Sequence, residues 1–181
     1  MTSKTRLSKA DWLHAGFSAL AEGGPNALKA EPLARRLATS KGSFYWHFAD
    51  VAAFQTAMLD VWEAEALTAL TTVIEEEANA GARLRRLAED ITDYSSSVTA
   101  DTNPEQLIRA WAKDAPMVAA RLAKVDELRL DLLNGLLKES GISNPDWGRL
   151  ILASSIGLKD LPQTAGGASM GSLIDLVMSL R

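Results

Sequence analysis

Nine consecutive residues, Ser40 to Phe48, bring together two serine hydroxyls, an ammonium, a phenol, an indole, an imidazole and one glycine. Such a set suits hydrogen bonding to phosphates and to the edges of bases. Ser40 is placed to cap a helix through its hydroxyl. The amides that follow it, with their partial positive charge, face outward toward an anion. Gly42 removes a side chain where a backbone must approach closely. Lys41 reaches a phosphate or a guanine edge, Ser43 a base edge, and Tyr45 and His47 donate to flanking phosphates. Phe44 and Phe48, four apart, share one face and are assigned to packing, which leaves Trp46 on the outer surface with Tyr45 and His47. Ser40, Lys41, Gly42, Ser43, Tyr45, Trp46 and His47 are therefore the expected DNA-binding residues.

Those residues need a scaffold, and the pattern before them provides one. Ser8 with Asp11 three residues on makes a helix start, and Trp12, Leu13, Phe17 and Leu20 stripe the helix until Gly23-Gly24-Pro25 ends it. A short helix is expected from about Glu31 to Leu37, with Pro32 in its first turn, then a break at Ala38-Thr39. Two short helices across a tight turn form a helix-turn-helix. Val51, Phe54, Met58, Trp62, Ala66, Leu70 and Val73 then draw one face of a long helix ending near Asn79-Ala80-Gly81.

The four pieces in this spacing resemble the TetR (tetracycline repressor) family of transcriptional regulators: Ala21-Glu22-Gly23-Gly24, Leu33 to Ala38, Ser40 to Phe48, and the long helix starting near Asp50. The resemblance implies a homodimer on a roughly palindromic operator in double-stranded DNA, with a C-terminal helical domain binding a small-molecule effector. It implies that Tyr45 and His47 hold phosphates and that Lys41, Gly42 and Ser43 meet bases or nearby backbone. Four positions depart from it. Ala38 stands where glycine is usual, so the turn is expected to tolerate a Cβ. Val51 replaces a frequent lysine, and Pro25 and Leu28 replace the usual beginning of the second helix.

The remainder is helical by period. Leu84, Leu87, Ile91, Tyr94 and Val98 predict a helix to about Ala100, and Asn103-Pro104, Pro116 and Asn144-Pro145 punctuate the next three. A last helix carries Leu173, Ile174, Val177 and Leu180. The fold expected is all-α with about nine helices: a three-helix head with the helix-turn-helix at 1–52, and a larger ligand-binding and dimerisation domain at 53–181. Trp62, Tyr94, Trp111, Met117 and Arg121 are the expected ligand-binding residues, with Asp93 and Asp114 as further polar groups. Ser154, Leu158, Ile174 and Val177 are expected at the dimer interface, because the last two helices resemble the pair that forms it in the family.

Composition limits the alternatives. Seven Lys/Arg against four Asp/Glu in 1–50 reverse to twelve against nineteen in 51–181, so a basic head precedes an acidic body within a chain of net charge -4. The 181 residues include no Cys and two His, which disfavours a disulfide framework or a transition-metal site, and no cofactor is expected. Gly167-Ala168-Ser169-Met170-Gly171 fits the Gly-x-Ser-x-Gly pattern of a hydrolase, but no strand precedes it and both histidines, His14 and His47, lie in the head. An enzyme is not expected. No apolar run reaches the roughly 20 residues that span a bilayer, and the cytoplasm is the expected compartment. The competing reading is a helical ligand-binding or interaction protein whose head has lost useful DNA affinity.

Overall fold

The computed structural model describes residues 7–92, 104–161 and 168–180. Nine α-helices and two short 3-10 turns lie among these residues: α1 (Lys9–Gly23), α2 (Ala30–Arg36), α3 (Lys41–His47), α4 (Val51–Glu76), α5 (Ala80–Thr92), α6 (Pro104–Ala112), α7 (Pro116–Glu139), α8 (Asp146–Gly157) and α9 (Ala168–Met178). The chain divides into two compact units, Met1–Ala64 with Ser95–Leu122 and Glu65–Tyr94 with Ala123–Arg181, so the division falls inside α4 and inside α7.

In the first unit the ends of the short helices are defined by side chains and by backbone. Ser8 caps α1 by accepting from the Asp11 amide at 3.2 Å, and the Asp11 carboxylate accepts in return from the Ser8 amide at 2.7 Å. Those bonds from the Ser8 amide and hydroxyl hold the Asp11 carboxyl below its ordinary value. Pro25 opens a 3-10 turn, Pro25–Ala27, and Leu28 behind it is buried, so the altered start of α2 anchors the chain by burial. The start of α2 at Lys29 has no side-chain cap.

The end of α2 differs from expectation. Ala38 does not avoid the conformation that glycine favours; it adopts it, with φ +49°. The Ala38 amide donates to the Arg35 carbonyl at 3.1 Å and the Thr39 amide to the Ala34 carbonyl at 2.9 Å, the paired bonds that close a helix through a left-handed residue. The two bonds hold the alanine where its Cβ crowds the following carbonyl. α7 ends with the same pair, Gly141 to Lys138 and Ile142 to Leu137, and there glycine occupies the left-handed position at φ +87°.

α4 follows the expected stripe. Phe54, Met58, Trp62, Ala66, Leu70 and Val73 are all buried, and at about 1.5 Å per residue the helix is about 39 Å long. It begins at Asp50, whose Oδ1 accepts from the Ala53 amide at 2.7 Å. Asn79, expected among the residues that end α4, instead caps α5 by accepting from the Ala82 amide at 2.9 Å. The expected continuation of α5 through Tyr94 and Val98 lies outside the described residues. In the second unit α5, α8 and α9 pack on one another and on the later part of α7 around Leu84, Leu87, Leu133, Ile151 and Ile174.

Candidate nucleic-acid interface

α3 is short, and its placement depends on two rings. Phe44 is fully buried and Phe48 nearly so. Phe44 meets Trp12 of α1 edge to face at 5.4 Å and Phe54 of α4 at 5.3 Å, while Phe48 meets Phe54 at 4.9 Å. Aromatic pairs at these separations add to the stabilisation that burial gives. Trp12 and Phe54 are thus the rings that other helices bring against Phe44. Gly16 brings α1 against α4 so closely that a Cβ there would lie 2.5 Å from Phe54 Cζ and 2.8 Å from Met58 Sδ. Arg36 of α2 forms a two-pronged ion pair with Glu22 of α1, which ties the second helix to the first.

With that support the opposite side of α3 faces out. Ser40 caps it, accepting from the Ser43 amide at 3.3 Å, as the sequence suggested. Lys41 and Gly42 are exposed, and Ser43 and His47 are half-buried. Tyr45 is 46% exposed and Trp46 82%, a large apolar area to leave in water on a seven-residue helix. The Lys41 ammonium lies 5.9 Å from the Tyr45 ring centre, and the His47 ring lies 6.4 Å from that of Trp12. Folding does not require the glycine at position 42. A Cβ there would touch only Ser40 Oγ, at an ordinary 3.6 Å.

Residues 13–53 match the family model of the bacterial regulatory proteins of the tetR family. The chain carries a TetR-family head. No curated protein sequence matches the chain. Solved structures match it along nearly its whole length. A transcriptional regulator from Rhodococcus sp. Rha1 is 17% identical with a TM-score of 0.71, covering 96% of this chain and 95% of its own. The TetR-family regulator PfmR of Thermus thermophilus is 17% identical with a TM-score of 0.69, covering 93% and 97%. The ketosteroid transcriptional regulator KstR2 of Mycobacterium tuberculosis is 14% identical with a TM-score of 0.62, covering 99% and 95%. At such identities the likeness is one of fold: the TetR-family head is followed by the all-helical architecture of these regulators.

Behind the TetR-family head, the other expected site residues fall in varied surroundings. Trp62 is fully buried, and its Nε1 donates to Glu105 Oε2 at 3.1 Å. Glu105 is itself only 2% exposed and pairs with Arg109 at 2.7 Å. Trp111 is buried, whereas Met117 is 45% exposed and Asp114 is exposed. Arg121 binds Asp60 at 2.7 Å and Glu63 through Nε at 2.8 Å. Burial lowers its pKa, but the bonds to Glu63 and Asp60 outweigh this and raise it, so Arg121 stays charged. Tyr94 and Asp93 lie outside the described residues. Glu105 and Arg129, both buried ions, were not singled out from the sequence; the i,i+4 spacing of Glu105 and Arg109 was the available signal.

Of the residues expected at a dimer interface, Ile174 and Val177 are buried within the core of their own unit, whereas Ser154 and Leu158 are half-buried. The apolar groups that α8 and α9 leave exposed are Leu150, at 51%, and Leu176, at 58%. Ser169 lies on α9 and is exposed, at the start of a helix with no strand before it among the described residues. No group of three His, Cys, Asp or Glu suited to a metal ion occurs among the described residues. No described helix is long and apolar enough to cross a membrane.

Proposed function

We propose that this protein is a sequence-specific DNA-binding transcriptional regulator that acts as a homodimer, a repressor released from its operator by a small-molecule effector. The head at 1–52 binds DNA, and 53–181 binds the effector and the second copy. The observation that carries the reading is the two-sided character of α3. One face is fixed by Phe44 and Phe48, and the other presents Lys41, Gly42, Ser43, Tyr45, Trp46 and His47 outward. An exposed indole and a glycine that folding does not need are costly on a surface with no partner. In a major groove the indole covers sugar and base edges, and the glycine lets the backbone come close.

Two such heads on a dimer reach half-sites roughly 34 to 36 Å apart, or a multiple of this, and an effector that alters their spacing ends simultaneous engagement. Trp62, Tyr94, Trp111, Met117 and Arg121 are proposed for the effector. The dimer uses α8 and α9, with Ser154 and Leu158 beside the exposed Leu150 and Leu176.

The test is retardation of the DNA that flanks the gene, over a series of salt concentrations. An inverted repeat in that DNA should be bound with steep salt dependence. Gly42→Ala should keep or raise thermal stability, since alanine is favoured over glycine in a helix by up to about 1 kcal/mol, yet weaken binding. No binding by the wild type at low salt would defeat the regulator reading and leave a helical ligand-binding protein.

A further inference from the structure

The side of α3 that meets α2 contains a groove of about 430 Å³ whose lining includes Lys29, Glu31, Arg35, Lys41, Tyr45 and Val51. Three cations against one carboxylate give it an excess of positive charge. We propose that this groove is a seat for one phosphate of the DNA backbone, in which Arg35 and Lys29 from α2 and its approach supply the charge that Val51, at the head of α4, does not. The inference rests on the DNA-binding reading above and adds a contact that the exposed face of α3 alone does not contain.

Adjacent arginines on α2 show the distinction. Arg36 is committed to the fold, because both of its terminal nitrogens bind Glu22 of α1. Arg35 holds only an i,i+4 partner, Glu31, at 3.2 Å, with the two side chains 76% and 71% exposed. A pair so exposed contributes little to stability and yields to a better anion. A phosphodiester is such an anion: its two non-bridging oxygens match the planar fork of a guanidinium, and its charge is fixed at every pH of interest. Lys41 and Tyr45 belong both to this groove and to the outward face of α3, so a strand of DNA lying along α3 carries a phosphate to the groove. Val51 adds an apolar surface for the sugar beside it.

The experiment uses the full-length protein and a duplex carrying the flanking inverted repeat, with affinity measured against salt concentration. Each cation lost from a phosphate contact lowers the slope of log K on log salt by about 0.9, which at 0.1 M salt is about eightfold in affinity per head. Arg35→Ala and Lys29→Ala should each show that loss, equally on matched and mismatched duplexes, and Glu31→Gln should tighten binding. Arg36→Ala is the contrast: it should lower the melting temperature and leave the slope unchanged. If the wild type binds and Arg35→Ala keeps its slope and affinity, the inference fails while the DNA-binding reading stands. If the wild type binds no duplex at low salt, that reading fails first. Titration with inorganic phosphate separates the sources: saturable phosphate binding with no change of slope in Arg35→Ala would make this a site for a free anion and overturn the proposal.

Discussion

Ala38 and Gly141 form a natural experiment, because the same backbone device ends α2 and α7 with different residues at its left-handed position. Both are exposed, and a Cβ on Gly141 would meet nothing within 4 Å, so exchanging the two residue types changes backbone conformational energy and little else. A residue with a Cβ costs about 1–2 kcal/mol in the left-handed region. Glycine costs about 0.4–1 kcal/mol through the freedom it adds to the unfolded chain. The difference predicts that Ala38→Gly stabilises by about 0.5–1 kcal/mol and that Gly141→Ala destabilises by a similar amount. For a chain of this length about 1 kcal/mol moves a melting temperature by about 2–4 °C, so the two variants should move in opposite directions by about 1–4 °C. Urea titration of each variant beside the wild type gives the same comparison at constant temperature, and an unchanged slope would place the effect in stability and not in the compactness of the unfolded chain. The bonds that close the turn already exist in the wild type, so Ala38→Gly should bind DNA as the wild type does. A lower midpoint for Ala38→Gly, or a higher one for Gly141→Ala, would refute the assignment of strain to position 38.

Other substitutions test other contacts. Gly16→Ala should destabilise the head by about 1–3 kcal/mol, measured by thermal melting, because its Cβ meets the fully buried Phe54 and Met58. The Ser8–Asp11 cap should give a pH-dependent α1. The Asp11 pKa is depressed in the folded state, so the cap's contribution is present above the ordinary carboxylate value of 3.8 and is lost as pH falls through the depressed value. Asp11→Asn should flatten that part of an acid titration followed by circular dichroism, and an unaltered curve would count against the cap. Leu176→Asp, at an exposed position of α9, should give folded monomers by light scattering. Ile174→Asp, at a buried one, should unfold the second unit; a dimer of unchanged mass from Leu176→Asp would remove α9 from the interface.

What the sequence made legible was local or periodic. Ser8 with Asp11, and Ser40 before α3, are read from neighbours a few residues apart, and the buried stripe of α4 repeats often enough to survive without tertiary information. The outward placement of Tyr45 and Trp46 followed from Phe44 and Phe48 filling the inner face. Three things were not legible, each for a physical reason. A left-handed alanine depends on the backbone bonds around it, and the residue type alone argues against it. Periodicity reports which face of a helix is buried but not what buries it, so Trp12 and Phe54 were missed as the rings beside Phe44, and Ile174 and Val177 were assigned to a partner surface although they fill their own core. Nothing in the sequence around Gly16 marks it, yet its missing side chain is the space that Phe54 occupies.

That contact between α1 and α4 has a mechanical meaning. Phe54 touches Phe44 of α3 and Phe48 just after it, and also the bare backbone at Gly16, so the opening turns of α4 are wedged between the first and third helices. A joint needs slack, and a close-packed ring with no room for a methyl group leaves none. A tilt of α4 over Phe54 and Met58 would therefore press at once on α1 and on the rings that hold α3.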